Sequence, residues 1–100
     1  MENEMKFKLV GVLKKVFTKH YPNGSTFNKL SVSYINNEME YIFQISIDDD
    51  LAKKVNDSDV GKIIIIKGDV NNYLSKSGYV NHSYVGRDFE LKENPEAIAW

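Results

Sequence analysis

Lysine and aromatic side chains are interleaved through the first 37 residues of this 100-residue chain. From Met5 to Asn37 there are six lysines and one histidine but no aspartate or glutamate, although the whole chain has a formal net charge of -1. The aromatic residues of the same stretch are Phe7, Phe17, Tyr21, Phe27 and Tyr34. Lysines bind phosphates and flat rings stack on bases, so this combination favours single-stranded nucleic acid as a ligand. Local charge, rather than net charge, would attract such a polyanion.

The residues expected to bind nucleic acid include most of these lysines and several basic and aromatic residues further along. They are Lys8, Lys14, Lys15, Lys19, Tyr21, Phe27, Lys29, Tyr41, Phe43, Tyr73, Lys76, Tyr79 and Arg87. Phe27 is the best stacking candidate on the second strand, because it shares the parity of Lys29 on the expected outer face. Ordinary solvated strands also carry lysines, but a face without acids across three strands is less common and favours nucleic-acid binding.

Two groups of aromatic residues have a structural explanation beside the functional one. Tyr34, Tyr41 and Phe43 have the parity of core residues, so they either fill the core or, if a bulge re-aims them, stack on bases. The segment Tyr73–Tyr79, with Lys76 inside it, has tyrosines on both sides of a glycine-containing loop. Those rings either close over a bound strand or pack the loop onto itself.

No motif in the sequence predicts catalysis, a metal or a cofactor. The three consecutive acids Asp48–Asp50 are explained as N-cap and first-turn residues of a short helix, since consecutive carboxylates cannot all reach one ion. His20 and His82 lack the spacing of a ligand pair or of a catalytic relay. The chain has no cysteine, which excludes disulfides, thiolate zinc sites and cysteine nucleophiles. We therefore expect a non-enzymatic protein.

Length and composition predict one globular domain over residues 5–92, followed by a short tail over 93–100. The chain is 42% hydrophobic and 27% charged, as in soluble globular proteins. No apolar run approaches a membrane span, and the N-terminal residues lack the apolar core of a signal peptide. We expect a cytoplasmic protein with no membrane contact.

Alternation of apolar and polar residues predicts five strands that would position the candidate residues. The predicted elements are strands at 7–14, from 26 to 34, 39–47, 63–66 and 79–92, turns at 20–25 and 36–37, a short helix at 51–56, and a loop at 71–78. This order, β-β-β-α-β-β, is that of the all-β OB-fold, a five-stranded Greek-key barrel with one short helix between strands three and four. The periodicity also allows an SH3-like barrel or an open α+β sheet.

Short motifs in this order resemble the bacterial and phage single-stranded DNA-binding proteins. The matching segments are Phe7–Leu13 (the family's apolar-x-Leu-x-Gly-x-Leu strand), Tyr21–Gly24 (its Thr-Pro-Ser-Gly turn), Leu30–Tyr34, Leu51–Ala52, Gly61–Gly68 and Ser77–Gly78. Two features differ from the family. The only tryptophan is Trp100, with Tyr41 standing near the family's third-strand tryptophan, and the long linker with an acidic tip is missing. The chain resembles a minimal version of the family, of the kind expected from a phage or mobile element.

The resemblance implies binding of single-stranded DNA with little sequence preference, in replication, recombination or DNA transfer. It also implies pairing of barrels into a homodimer or tetramer. The residues Ile63–Ile66 support such self-association, because two of the four isoleucines, including Ile65, should face away from the core. Two alternatives stay open: a protein adaptor that docks onto a replication complex through Ile63–Ile66, and an RNA-binding OB module.

Overall fold

Five strands close into a barrel in the computed structural model, which describes residues 5–74 and 76–94 but not the side chains of Tyr73 and Leu74. The elements are β1 (Lys6–His20), β2 (Thr26–Asn36), β3 (Met39–Ile47), the helix α1 (Asp49–Ala52), a 3-10 turn (Asp57–Asp59), β4 (Ile63–Leu74) and β5 (Val80–Lys92). Around the barrel the order is β1-β2-β3-β5-β4, and β4 pairs back onto β1. The predicted OB-type barrel with one short helix between β3 and β4 is confirmed.

β1 closes the barrel because it is long enough to pair with two strands. Its first half, Lys6–Val12, runs antiparallel to β4, and its second half, Val12–His20, runs antiparallel to β2. On the opposite side β3 and β5 make a short parallel contact at Ile45–Ser46 and Tyr84–Val85. No helix in the described part of the chain is long and apolar enough to cross a bilayer.

The core consists of the inward-facing residues of the strands, together with Leu51 from α1 and Val55 after it. Six of its side chains are fully buried: Leu13, Leu30, Val32, Ile45, Ile64 and Ile66. In the isoleucine run of β4, Ile64 and Ile66 point inward, whereas Ile63 and Ile65 are only half-buried on the outer face. The predicted division of this run into an inner and an outer pair is confirmed.

A β-bulge at Lys14 reverses the facing of β1. Leu13 pairs with Val32 and Lys15 pairs with Ser31, so Lys14 has no partner of its own in β2. An extra residue in one strand shifts every later side chain to the opposite face. After the bulge, Phe17 lies on the outside of the barrel together with its lysine neighbours.

Two glycines lie where another strand comes too close for a side chain. A Cβ atom built on Gly68 would lie 1.9 Å from the carbonyl oxygen of Val85, and one on Gly11 would lie 2.3 Å from that of Ser33. The approach at Gly68 coincides with a bulge in β5, where Arg87 is the extra residue between two paired positions. Both positions exclude any residue larger than glycine.

The helix is shorter and begins earlier than the predicted segment 51–56. Asp48 is its N-cap, with its Oδ1 accepting a hydrogen bond from the Leu51 backbone N at 2.8 Å, as the capping interpretation of the acids predicts. The helix ends early because Asn56 caps the following 3-10 turn in a capping box with Asp59. The predicted helix end was therefore wrong.

The predicted loop at 71–78 was also wrong at its start. Residues 71–74 belong to β4 and pair with residues 80–83 of β5. Asn72 and His82 are opposite each other, and their side chains form a hydrogen bond across the hairpin. Asparagines are typical of turns, so the sequence pattern alone favoured a loop.

The turn between β2 and β3 predicts a stabilising substitution. Asn37 and Glu38 both have positive φ, 52° and 66°, as a two-residue hairpin turn requires, and glycine is preferred at the second position. The turn lies one residue later than predicted from the sequence. We expect Glu38→Gly to raise the free energy of unfolding by about 0.5–1 kcal/mol, because it removes the left-handed conformation of a residue with a Cβ. Urea unfolding measures this, and Glu38→Ala, which removes only the carboxylate, should show no gain.

Candidate nucleic-acid interface

The outer surface of the β1–β2 hairpin carries alternating lysines and phenylalanines. This basic aromatic face consists of Lys15, Phe17 and Lys19 from β1 and Phe27 and Lys29 from β2. Phe17 is directly opposite Lys29, and Lys19 is directly opposite Phe27. Each ring therefore has a lysine as its cross-strand neighbour, an arrangement produced by the bulge in β1 and the parity of β2.

The ammonium groups of this face lie close to the aromatic rings. The Lys29 Nζ atom is 5.9 Å from the Phe17 ring centroid and 5.8 Å from that of Phe27, and the Lys15 Nζ is 5.9 Å from Phe17. At the end of the hairpin, the Lys19 Nζ is 5.2 Å from the ring of Tyr21. These distances are within the range of cation–π attraction, which keeps charge and ring side by side.

Stacking needs accessible rings, and these rings are accessible. Phe17 is 38% exposed, Phe27 37% and Tyr21 41%. The prediction that Phe27 faces outward is confirmed. A partly exposed phenylalanine offers a flat apolar surface on which a base of any identity can stack.

The charge of the basic aromatic face is not neutralised by neighbouring acids. Within the described residues, Lys15, Lys19 and Lys29 form no ion pair. A groove of about 240 Å³ runs beside them, lined by Lys15, Phe17, Lys29, Ser31 and Gln44. The groove thus combines cations, one ring and neutral hydrogen-bonding groups, which can contact the phosphates, bases and sugars of a single strand.

A polar network centred on the buried Asn28 holds this face in place from the inner side of the hairpin. The buried Asn28 accepts a hydrogen bond from the Thr18 hydroxyl at 2.9 Å and donates one to Asp49 Oδ1 at 2.7 Å. The Thr26 hydroxyl donates to the same carboxylate oxygen. Asp49 is in α1, so this network ties the base of the hairpin to the helix. Both sequence neighbours of Asn28 in β2 face the opposite way, onto the basic aromatic face.

The network predicts a specific pH dependence of stability. Hydrogen bonds from Thr26 and Asn28 lower the pKa of Asp49 below its ordinary value of 3.8. Its contribution to stability is therefore complete above that value and is lost as the pH falls through the lowered pKa. We expect Asp49→Asn to reduce stability at pH 7 and to flatten the loss of stability below about pH 4.

Urea midpoints measured between pH 7 and pH 3 test this prediction. Asp50→Asn is the matched control, because the described structure shows no hydrogen bond from β2 to Asp50. Equal pH profiles for the wild type and Asp49→Asn would show that this carboxylate does not hold the hairpin.

The aromatic residues of β3 lie at the other end of the barrel. Phe43 is half-buried against the core, and the Tyr84 ring lies edge-on to it at 5.7 Å and to Phe7 at 5.4 Å. Tyr34 and Tyr41 are directly opposite each other and are 38% and 44% exposed. In the alternation of their strands both tyrosines stand at positions that face the core. The β2–β3 hairpin continues beyond the barrel, however, so their rings are partly open to solvent.

Three basic candidates are placed apart from the basic aromatic face. The Lys14 Nζ is 3.8 Å from the carboxylate of Glu40 in β3. The segment 5–37 contains no acid of its own, but folding places an acid of β3 beside one of its lysines. The Arg87 Nε donates to Asp69 Oδ2 at 2.8 Å. Lys8 is exposed on the β1–β4 part of the barrel wall. These residues do not join the hairpin surface that the other lysines form.

The remaining candidates lie on the β4–β5 hairpin. Tyr79 is 73% exposed and Lys76 is exposed, both at the tip. Tyr73 is in β4, opposite Asn81, and its side chain lies outside the described structure.

Phe17 belongs to the basic aromatic face but was not among the site residues selected from the sequence. Continuing the alternation of Leu9 and Leu13 along β1 would place it inside the barrel, and only the bulge places it outside. The sequence contains one signal of this change, the adjacent pair Lys14–Lys15, because two consecutive lysines cannot both continue a simple alternation with one buried face.

Comparison with known proteins shows which fold this is. The sequence gives no significant match to a protein-family model or to a curated protein. The structure is similar to a crystal structure of the mitochondrial single-stranded DNA-binding protein Rim1 from S. cerevisiae, with a TM-score of 0.74, 16% identity, and coverage of 93% of this chain and 98% of that one.

Two further solved structures show the same barrel. The dimeric structure of the N-terminal domain of PriB from Thermoanaerobacter tencongensis has a TM-score of 0.65 and 22% identity, covering 90% of this chain and 98% of that chain. The Plasmodium falciparum SSB complex with ssDNA also has a TM-score of 0.65, at 12% identity, covering 93% and 98% of the two chains. The chain therefore has the same OB-fold barrel as these three solved structures, over nearly its whole length.

Proposed function

We propose that this protein binds single-stranded DNA with little sequence preference and without catalysing a reaction. The observation that carries the proposal is the basic aromatic face, on which two exposed rings alternate with three lysines that have no acidic partner among the described residues. The similarity of the barrel to proteins described as single-stranded DNA-binding supports it.

The binding mechanism follows from the two residue types. Bases stack on Phe17 and Phe27, which contributes about 1–3 kcal/mol per base and does not depend on base identity. Lys15, Lys19 and Lys29 contact the phosphates and release their counterions. Duplex DNA has its bases already stacked in pairs, so it gains only the phosphate contacts. The protein should therefore prefer single strands and keep them unpaired.

A biological role follows from this preference as part of the proposal. Coating of unpaired strands serves replication, recombination or DNA transfer, and we propose such a role in the cytoplasm for a protein of a phage or mobile element. The absence of cysteine is compatible with a reducing compartment.

A fluorescence titration with poly-dT, poly-rU and duplex DNA at several salt concentrations tests the proposal. We expect tight binding to poly-dT, weak binding to duplex, and an affinity for poly-dT that falls steeply as salt rises. Tighter binding to poly-rU would instead identify an RNA-binding module. Equal affinity for duplex, or an affinity insensitive to salt, would contradict binding by stacking and phosphate contacts.

We also propose self-association through an apolar strip on the outside of β1 and β4. The strip consists of Val10, Val12, Ile63 and Ile65, with Val10 paired to Ile65 and Val12 to Ile63. Val10 is 49% exposed, and both isoleucines are half-buried on the outer face. A second copy of the strip would cover these groups in a symmetric contact, giving a homodimer or, with a second contact, a tetramer.

Replacing Ile65 with lysine is expected to dissociate such an assembly, because symmetry places the new charges against each other. Sedimentation at protein concentrations on the order of 10 micromolar measures whether the wild type and the variant are assembled or monomeric. Lys67→Ile, a change on the same face that adds no charge, is not expected to dissociate it. A wild type that sediments as a monomer would contradict self-association and leave the strip available to a partner protein of a replication complex.

A further inference from the structure

A pair of lysines faces each other across β1 and β4, away from the basic aromatic face. Lys8 is directly opposite Lys67, and both side chains are exposed on the same side of the barrel wall. Like charges in directly opposite positions of two strands destabilise the pairing. Neither lysine forms an ion pair within the described residues, although Asp88 is opposite Lys67 on β5. In the described part of the protein, no direct ion pair to either lysine offsets the repulsion between them.

The two lysines border an open groove on the barrel wall. The groove has a volume of about 510 Å³ and is lined by Lys6, Phe7, Lys8, Lys67, Gly68, Asp69 and Arg87. Asp69 is the only acid among the described residues that line it, and that carboxylate accepts hydrogen bonds from both Lys6 and Arg87. Those two bonds lower the pKa of Asp69, so its carboxylate stays ionised and remains hydrogen-bonded to Lys6 and Arg87. Lys8 and Lys67 add two positive charges to the groove, and neither of them forms an ion pair among the described residues.

We propose that this groove is a second phosphate-binding subsite, in which Lys8 and Lys67 bind the backbone of a further segment of the same single strand. The inference rests on the proposed function. A phosphodiester between the two ammonium groups would remove their repulsion and make two charge-assisted contacts. Phe7, half-buried, supplies an apolar floor beside them.

The subsite is separate from the basic aromatic face. Lys8 and Phe17 are nine residues apart on β1, which corresponds to about 30 Å of extended strand. The apolar strip lies between them, so a second copy of the chain can cover the strip and leave both basic surfaces open. Only a strand that is long enough to pass from one surface to the other contacts both.

The dependence of binding on strand length tests this subsite. The variant is Lys8→Gln with Lys67→Gln, measured on oligo-dT of about 6 and about 20 nucleotides, which bracket the site sizes of OB-folds. We expect affinity for the long strand to fall roughly tenfold and its salt slope to fall by about 1.4, because two phosphate contacts are lost. Affinity for the short strand should not change, since it is held by the basic aromatic face.

The matched control is Lys53→Gln with Lys54→Gln, which removes the same charge from exposed residues after α1. An equal loss in the control, an equal loss for both strand lengths, or no loss for the long strand would overturn the subsite. Tight binding of the short strand by the wild type would show in the same experiment that the proposed function itself holds.

Stability without nucleic acid provides a second readout. Removing one of two like charges relieves repulsion, so Lys8→Gln and Lys67→Gln should each leave the urea midpoint unchanged or raise it. A lowered midpoint together with unchanged binding would assign the lysines a purely structural role and contradict the subsite.

Discussion

Replacing Gly68 with alanine is expected to unfold the barrel or to destabilise it by about 4 kcal/mol or more, a large part of the 5–15 kcal/mol typical of a domain. The new Cβ would lie 1.9 Å from the Val85 carbonyl oxygen and 2.9 Å from the Cα of Gly86. Both are backbone atoms, so no side chain can rotate to make room. β4 and β5 would have to separate next to the bulge at Arg87, which breaks the longest strand pairing of the barrel.

Circular dichroism and urea unfolding measure the effect. Gly24→Ala is the matched control, because its Cβ would meet no atom within 4 Å although its φ is +88°. It should cost only about 1 kcal/mol, the conformational penalty of a positive φ. A Gly68→Ala protein as stable as the Gly24→Ala protein would mean that β4 and β5 are not packed as closely as described.

Removing both rings of the basic aromatic face is expected to abolish most binding of single-stranded DNA. Each stacked base is worth about 1–3 kcal/mol, so the double variant Phe17→Ala with Phe27→Ala should lose about 2–6 kcal/mol of binding free energy. The fold should remain, because the two rings are 38% and 37% exposed and neither belongs to the core.

Fluorescence titration with oligo-dT, together with a urea midpoint for each variant, separates binding from folding. Val60→Ala removes an apolar side chain of similar exposure, 44%, from a loop without lysine–aromatic contacts in the described structure. It should leave the affinity unchanged. If the double variant binds as tightly as the wild type, the rings do not stack on bases; if it melts much earlier, they are structural.

The strand order was predictable because most strands obey a simple alternation. In β4 the four isoleucines divide into Ile64 and Ile66 inside and Ile63 and Ile65 outside, as period two requires. Turns at Pro-Asn-Gly and near Asn37 separate the first three strands, and these residue types favour turns for known reasons. Once five strands and one helix are placed, few barrel topologies remain.

The basic aromatic face was only partly predictable, because its formation depends on one irregularity. Phe27 and Lys29 follow the parity of β2, so their outward direction could be read from the pattern. Phe17 could not, since its direction depends on the bulge at Lys14. Bulges depend on how two strands meet in three dimensions, and a single sequence contains little information on that.

The pairing of charges was not predictable from the sequence at all. The first 37 residues contain long acid-free stretches, yet Glu40 approaches Lys14 once β3 is placed beside β2. Arg87 lies close to Asp69 in the hairpin of β4 and β5, and its guanidinium group already forms an ion pair with that carboxylate. Contacts of this kind depend on strand register, which sequence spacing alone does not define.

The bulge at Lys14 makes the chemistry of this surface depend on how β1 pairs as well as on its composition. If the same residues paired with β2 without a bulge, Val16 and Thr18 would face solvent, while Phe17 and two lysines would be directed into the barrel. Deleting Lys14 itself would leave every later pairing unchanged, because the residues on either side of it already pair with consecutive residues of β2. In a lineage of such barrels, the loss of this one codon would therefore straighten the strand and keep the binding surface.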